Sequence, residues 1–269
     1  MKLKIYGSRG STAFFSRSNI EYGGNTVCSA LDIDGHIVVL DCGTGLIQFY
    51  HDMKDRFKDG FKFDVLLSHL HLDHIIGLST FSPVLSTDSD IRIFTRSRNG
   101  LPLASQVFGA FRPPYWPIDL AELSRAKIVE IVSEAPFMLG DNIRVTPFWS
   151  ERHNKTEAFR IDADKSLVYL LDYEMNDNQD KYDDLVSFCK NADLVIFDAS
   201  YLPEDYPARR GFGHSTFDDG IALAEAASCK KMLFSHICQD YPDEVLNHFK
   251  DKFAGSKYSI AFDGMELEI

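Results

Sequence analysis

The sequence predicts an α/β protein in which two mixed β-sheets pack face to face between outer helices, an αββα sandwich. Three observations lead there. Short apolar runs recur through the chain, broken by Gly, Asn and Asp in the way strands are broken by turns. These runs arrive in two blocks, each with helix-like segments beside it, which suits two sheets covered on their outer faces. The chain has 269 residues, 45% of them hydrophobic, with no repeat, low-complexity tract or linker, so one large domain with an ample core is expected.

In order, Leu3-Lys4-Ile5-Tyr6 reads as a strand, and residues 27–33 and 37–40 as a hairpin turning at Asp34-Gly35. Residues 63–67 form a further strand, and residues 74–81 have a helical pattern. Residues 82–135 are less regular and are expected to form an insertion that covers the active site. They hold a strand-like Ile91-Arg92-Ile93-Phe94 and a helix over 103–111. Arg112-Pro113-Pro114 follows, where adjacent prolines stop any helix. Strands resume at 127–132, 143–148, 167–171 and 194–197, then a helix over 217–227 and a strand over 231–235.

Charge and cysteines exclude several function classes. The formal charge is -12 and no basic run stands out, which opposes binding to a long phosphate backbone. A small anionic substrate remains compatible, because divalent ions reverse the local field. Five scattered cysteines, odd in number and without CxxC spacing, fit neither a disulfide framework nor a Cys-type zinc site. The N-terminal residues lack the apolar core of a signal peptide and no stretch reaches membrane-spanning length, so the cytoplasm is the expected compartment.

The chemistry concentrates in Ser68-His69-Leu70-His71-Leu72-Asp73-His74, directly after the apolar Val65-Leu66-Leu67. Three imidazoles and a carboxylate in six residues suit metal ions far better than a core. On an extended segment His69 and His71 project to one side. A two-metal site needs further ligands at strand ends, and three positions fit. His153 lies just past a strand, Asp172 ends Leu167-Val168-Tyr169-Leu170-Leu171, and His236 ends Lys231-Met232-Leu233-Phe234-Ser235. A carboxylate left unpaired beside such apolar runs would be costly. Asp198, ending Leu194-Val195-Ile196-Phe197, competes with Asp172 for a bridging role.

The order of these motifs resembles the metallo-β-lactamase fold, in particular its phosphodiesterase branch with ribonuclease Z and the phosphonate-pathway cyclic phosphodiesterases. Gly7-Ser8-Arg9-Gly10-Ser11 and Tyr22-Gly23-Gly24-Asn25-Thr26 resemble the branch's N-terminal motif. Leu40-Asp41-Cys42-Gly43-Thr44-Gly45 is similar to its second motif, and the histidine run to its hallmark. The resemblance spans nearly the whole chain. It implies that His69, His71 and His153 hold one divalent ion, that Asp73, His74 and His236 hold the other, and that Asp172 and a nucleophilic hydroxide bridge both. Zn²⁺ is the foremost expectation, with Mn²⁺ or Fe²⁺ compatible with the same ligands.

The same resemblance turns Gly211-Phe212-Gly213-His214-Ser215-Thr216 into the segment that decides the reaction. It implies that His214 is a proton donor to the leaving alkoxide rather than a ligand, with Asp198 as its carboxylate partner. The plain alternative is that His214 precedes a helix capped by Ser215 or Thr216. Asp73 is expected in both groups, as ligand and as participant in catalysis. Asp41 is placed to accept a proton from a ligating histidine, or else to serve a strand-end turn. Arg9 and Asn25 contact a phosphate or serve ordinary turns, and His36, His51 and His248 read as surface residues.

The resemblance implies a hydrolase acting on a small or nucleotide-like phosphodiester, cyclic nucleotides included. Ribonuclease Z enzymes grip transfer RNA with a basic arm, and residues 82–135 contain none. Phe108, Phe111, Tyr115 and Trp116 instead cluster there, to stack a base, line a pocket, or pack as a lid or homodimer surface. The alternatives are a ribonuclease Z-like RNA nuclease, a lactonase or thioesterase of the same fold, a non-haem iron oxidoreductase, and a non-catalytic metal-binding module.

Overall fold

The Asp34-Gly35 turn joins β2 (Cys28–Ile33) to β3 (His36–Leu40), with both turn residues at positive φ, as a tight hairpin requires. The computed structural model describes residues 1–151, 154–177 and 179–269. Around this hairpin the first sheet adds β1 (Lys2–Gly7), β4 (Lys62–Leu66), β5 (Asp90–Thr95), β6 (Lys127–Glu130) and the C-terminal β14 (Glu266–Glu268), in the order β14-β1-β2-β3-β4-β5-β6. The second sheet runs β7-β8-β9-β10-β11-β12-β13. It consists of β7 (Phe137–Leu139), β8 (Ile143–Trp149), β9 (Glu157–Asp162), β10 (Ser166–Leu170), β11 (Leu194–Asp198), β12 (Met232–Ser235) and β13 (Tyr258–Ile260).

The two sheets are built alike. Across each, three antiparallel pairings are followed by three parallel ones, so β3 and β10, β4 and β11, and β5 and β12 occupy matching places. Strand alternation distributes the core between layers. Leu194 and Ile196 face the other sheet with Leu3, Leu31, Val38, Tyr169 and Leu233, while Val195 and Phe197 face the helices. The first sheet's outer face packs on α1 (Gly45–Met53) through Leu46 and Phe49. The second sheet's outer face is covered by α5 (Tyr182–Cys189), α7 (Phe217–Ala226) and α8 (Asp243–Phe253). Two mixed sheets sandwiched by helices are the architecture the sequence predicted.

Several local expectations change. In place of a helix over residues 74–81, a single turn α2 (Leu72–Ile75) passes into a 3-10 turn, Ile76–Ser79. The chain hugs the loop after β3 there, with Cys42 N–H on the His74 carbonyl and Gly77 N–H on the Cys42 carbonyl. A Cβ at Gly77 would lie 2.2 Å from the Gly43 oxygen, so only glycine permits the approach. Residues 82–135 supply β5 and β6 to the first sheet, with α3 (Leu103–Phe108) and α4 (Leu120–Leu123) between them. Phe108 and Phe111 are buried in that sheet's outer core, whereas Tyr115 is 83% exposed. All five cysteines are buried free thiols. Among the described residues no helix is long and apolar enough to cross a membrane.

Candidate metal centre

The predicted residues emerge at one end of the sandwich, past the C-terminal ends of neighbouring strands. Asp41 follows β3, the histidine run follows β4, Asp172 follows β10, Asp198 closes β11 and His236 follows β12. Three of these strand ends carry φ near +55°: Asp41 (57°), Asp172 (54°) and His236 (58°). A left-handed conformation at a residue other than glycine is costly, and it turns each side chain sharply off its strand into a common centre.

Two sets of ligand atoms form there, His69, His71 and Asp172 in one and Asp73, His74 and His236 in the other. Asp172 Oδ1 is 3.4 Å from His69 Nε2, and its Oδ2 is 3.0 Å from His74 Nε2 and 3.1 Å from His236 Nε2. Asp172 therefore faces both sets, one oxygen to each. Asp73 Oδ2 lies 3.2 Å from His236 Nε2 and 3.4 Å from His74 Nε2. His153, expected in the first set, lies outside the described residues.

The surrounding groups determine which nitrogen each histidine points inward. His74 Nδ1 contacts Asp41 Oδ2 at 2.7 Å, His236 Nδ1 contacts Ser200 Oγ at 2.8 Å, and His69 Nδ1 contacts Ser68 Oγ at 3.1 Å. With Nδ1 engaged, each ring presents Nε2 to the centre, the arrangement that orients metal-ligating imidazoles. His69 Nε2 and Asp172 Oδ2 are buried polar atoms without a hydrogen-bond partner, despite their short distances to neighbouring groups. Such atoms are costly unless something else satisfies them. Tetrahedral N and O ligands at about 2.0–2.2 Å from an ion stand roughly 3.3–3.6 Å from one another, close to the 3.0–3.4 Å spacings here. The donor set fits divalent cations.

Electrostatics agree. Burial pushes the His69 imidazole well below its ordinary value, so it stays neutral and keeps its lone pair. Burial also opposes charge on His74, but Asp172, Asp73 and Asp41 outweigh it and raise that imidazole well above the ordinary value. Burial raises the Asp73 carboxyl, yet His74 and His236 dominate and hold it below the carboxylate range. Carboxylates strong enough to protonate a buried imidazole make a potential that favours a cation.

Beside this centre stands His214, only 8% exposed, its ring stacked on His236 at 4.8 Å between centroids. Its Nδ1 is 2.8 Å from Asp198 Oδ2, the same oxygen that accepts the backbone N–H of Asp172 at 2.8 Å. Asp198 also joins Asp172, His214 and His236 in a third group of close ligand atoms. Burial lowers the His214 imidazole, but Asp198 more than compensates and raises it to about 9. The helix-capping duty falls to Thr216, whose hydroxyl accepts Asp219 N–H while the Asp219 carboxylate accepts Thr216 N–H. His214 is thereby left unoccupied by capping.

A match to the family model for the beta-lactamase superfamily domain spans residues 36–237, which takes in β3, β4, β10, β11 and β12, the strands whose ends form the centre. The chain belongs to the beta-lactamase superfamily. Among its relatives is the ribonuclease Z of Bradyrhizobium sp. (strain ORS 278), 23% identical over 283 residues that cover 87% of this chain and 91% of that protein. Among solved structures, the metallo-beta-lactamase fold protein YhfI of Bacillus subtilis superposes with a TM-score of 0.71 at 18% identity, covering 99% of both chains. A diphosphatase of the PhnP family reaches 0.72 at 17% identity, covering 100% of this chain and 97% of that one. Those structural likenesses establish the metallo-β-lactamase fold.

Asp41 is fully buried and accepts from Ser68 N, Ser68 Oγ and Tyr169 Oη as well as facing His74. Arg9 does not reach the centre. Its buried guanidinium donates to the carbonyls of Gly23, Cys238 and Tyr241, tying the N-terminal loop to the segment after His236. Asn25 Oδ1 accepts from Thr44 Oγ1. His51 and His248 are exposed, but His36 pairs with the buried Asp64 at 2.8 Å, where Arg92 also binds. Sequence reasoning missed Ser68 next to His69, Tyr169 inside the apolar β10, and Ser200 two residues past the end of β11. It also missed Asn154, whose amide lies 3.1 Å from the Gly213 carbonyl and 3.4 Å from Asp172 Oδ1.

Proposed function

We propose that this chain is a metal-dependent phosphodiesterase acting on small or nucleotide-like diesters, its 269 residues forming one domain. His69, His71 and His153 would hold one divalent cation, zinc by preference, and Asp73, His74 and His236 the second, with Asp172 shared. When bound, such a pair supplies Lewis acidity and lowers the pKa of a water toward neutrality. The single observation that carries the reading is the His214–Asp198 pair beside the ligand cluster. Asp198 takes Nδ1 and leaves Nε2 as the nitrogen from which a proton passes to the departing oxygen. A ribose alkoxide is a poor leaving group and needs that proton, whereas the thiolate of a thioester departs without one. Asp198 also accepts Asp172 N–H, so one carboxylate orients the acid and anchors the shared ligand.

An RNA substrate is the second reading, favoured by relatives named ribonuclease Z. The charge of -12 weighs against a long polyanion and toward a compact substrate. The deciding assay compares metal-loaded protein on a cyclic nucleotide, a dinucleotide, a structured RNA, a phosphomonoester and a lactam. Turnover confined to the small diesters, lost in His214→Ala at normal metal content, is the expected result. Lactam or monoester turnover without diester cleavage would overturn the proposal.

A further inference from the structure

Glu174 is a buried carboxylate, 2% exposed, and belongs to none of the three ligand groups formed among the described residues. It lies two residues past Asp172 and faces the loop that leads into His214. Its Oε1 accepts from Tyr206 Oη at 2.6 Å and from the backbone N–H of Gly211 at 2.8 Å, and its Oε2 accepts the N–H of Gly213 at 2.8 Å. Tyr206 opens α6 (Tyr206–Arg209), so the carboxylate clasps both ends of the segment before His214. Gly211 and Gly213 both have φ of +87°, a backbone conformation that favours glycine, and the N–H of each reaches the carboxylate while that of Phe212 goes to the Arg209 carbonyl. The next residues continue the seam. Ser215 Oγ donates to the Tyr173 carbonyl at 2.6 Å and accepts Met175 N–H at 3.0 Å.

We infer that Glu174 is a positioning residue for the proton donor, holding Gly211–Gly213 so that His214 Nε2 is aimed at the departing oxygen; this rests on the phosphodiesterase reading above. Asp198 fixes the imidazole from its Nδ1 side, and Glu174 fixes the backbone from which the imidazole projects. The strand-end segment 172–175 thus carries both the shared carboxylate ligand and the clasp on the acid. A glutamine at 174 has nearly the same shape but only one accepting oxygen. Whichever way its amide lies, an –NH₂ faces a glycine N–H and the clasp opens.

The test uses leaving-group dependence, which a general loss of structure does not reproduce. Metal-loaded wild type, Glu174→Gln, His214→Ala and the double variant are assayed on bis(p-nitrophenyl) phosphate, whose leaving group needs no proton, and on a dinucleotide, whose alkoxide does. General acids contribute on the order of 10²–10⁴-fold, so His214→Ala should lose about that much on the dinucleotide. Glu174→Gln should lose roughly 10–100-fold there while staying within about threefold on the p-nitrophenyl ester, at unchanged metal content. The double variant should be no slower than His214→Ala. Equal losses on both substrates, or losses that multiply with His214→Ala, would overturn the inference while the proton-donor reading stands. A His214→Ala variant with no split between the substrates overturns that reading instead, and this inference with it. Should Glu174→Gln not fold, Tyr206→Phe removes one clasp bond and should give a smaller split of the same sense. Its absence would count equally against the role.

Discussion

Replacing Asp41 with asparagine is the most direct probe of how the second set of candidate ligand atoms is held. Four donors converge on this fully buried carboxylate: Ser68 N and Ser68 Oγ at 2.8 Å, Tyr169 Oη at 2.8 Å and His74 Nδ1 at 2.7 Å. Burial, followed by the charge of Asp41, keeps the Tyr169 phenol well above its ordinary value and therefore a donor. An asparagine oxygen in the Oδ2 position keeps three donors, but its –NH₂ then meets the Ser68 N–H. That unpaired buried N–H costs about 1–3 kcal/mol. The remaining bonds lose their charge assistance, so the total is roughly 2–4 kcal/mol. His74 also loses the partner that orients it, and groups of this kind are worth about 10–100-fold in metal affinity, or about 1.4–2.8 kcal/mol. Urea unfolding of the metal-free protein reads the first effect and competition with a chromophoric chelator reads the second. Stability within about 0.5 kcal/mol of wild type together with unchanged affinity would refute the assignment of Asp41.

Three further outcomes follow from the geometry. The Asp198-paired imidazole of His214 is charged below about 9 and loses its proton above it, so dinucleotide turnover should fall on the alkaline side near that value. The falling limb should vanish in His214→Ala, and its persistence there would assign it to another group. Gly10→Ala places a Cβ 2.3 Å from His236 Nδ1, where it collides with the ring held by Ser200. Metal affinity should drop at least tenfold with the fold retained, measured by chelator competition. Phe217 is fully buried, stacked on Phe249 at 4.6 Å and edge-on to Phe234 at 4.9 Å, so Phe217→Ala should cost about 3–5 kcal/mol in urea unfolding. A cost under about 1 kcal/mol would mean that this helix–sheet contact contributes far less than its packing indicates.

The layered architecture and the candidate residues were legible in the chain because both rest on local patterns. Alternating apolar runs mark strands wherever one face is buried, and Asp34-Gly35 marks its own turn. A His-x-His-x-Asp-His cluster is improbable as core or as ordinary surface. Elements whose apolar residues are few or irregular were not legible. The strands β7, β9, β13 and β14 take their place from neighbours already in the sheet, and α2 is cut short because Gly77 must pass against Gly43.

What the sequence by itself determined is the inventory: two sheets, a histidine run at a strand end, and carboxylates and imidazoles closing other apolar strands. What only the tertiary structure decided is which atoms meet. Asp172 and Asp198 end adjacent parallel strands and look interchangeable in one dimension. In space Asp172 faces both ligand sets, while Asp198 turns to His214. The matched strand patterns of the two sheets, which place Asp41 and Asp172 at equivalent strand ends with the same left-handed backbone, left no repeat in the sequence. Strand pairing constrains backbone geometry and the burial of a face, and many side chains satisfy both, so the architecture recurs where the residues do not. Arg9 makes the converse point. A charged residue in a glycine-rich loop has the look of a phosphate ligand, yet three carbonyls from distant segments bury it as a brace behind His236. Hydrogen bonds that long in sequence are fixed by packing alone, because no local pattern encodes which carbonyls will be left without a donor.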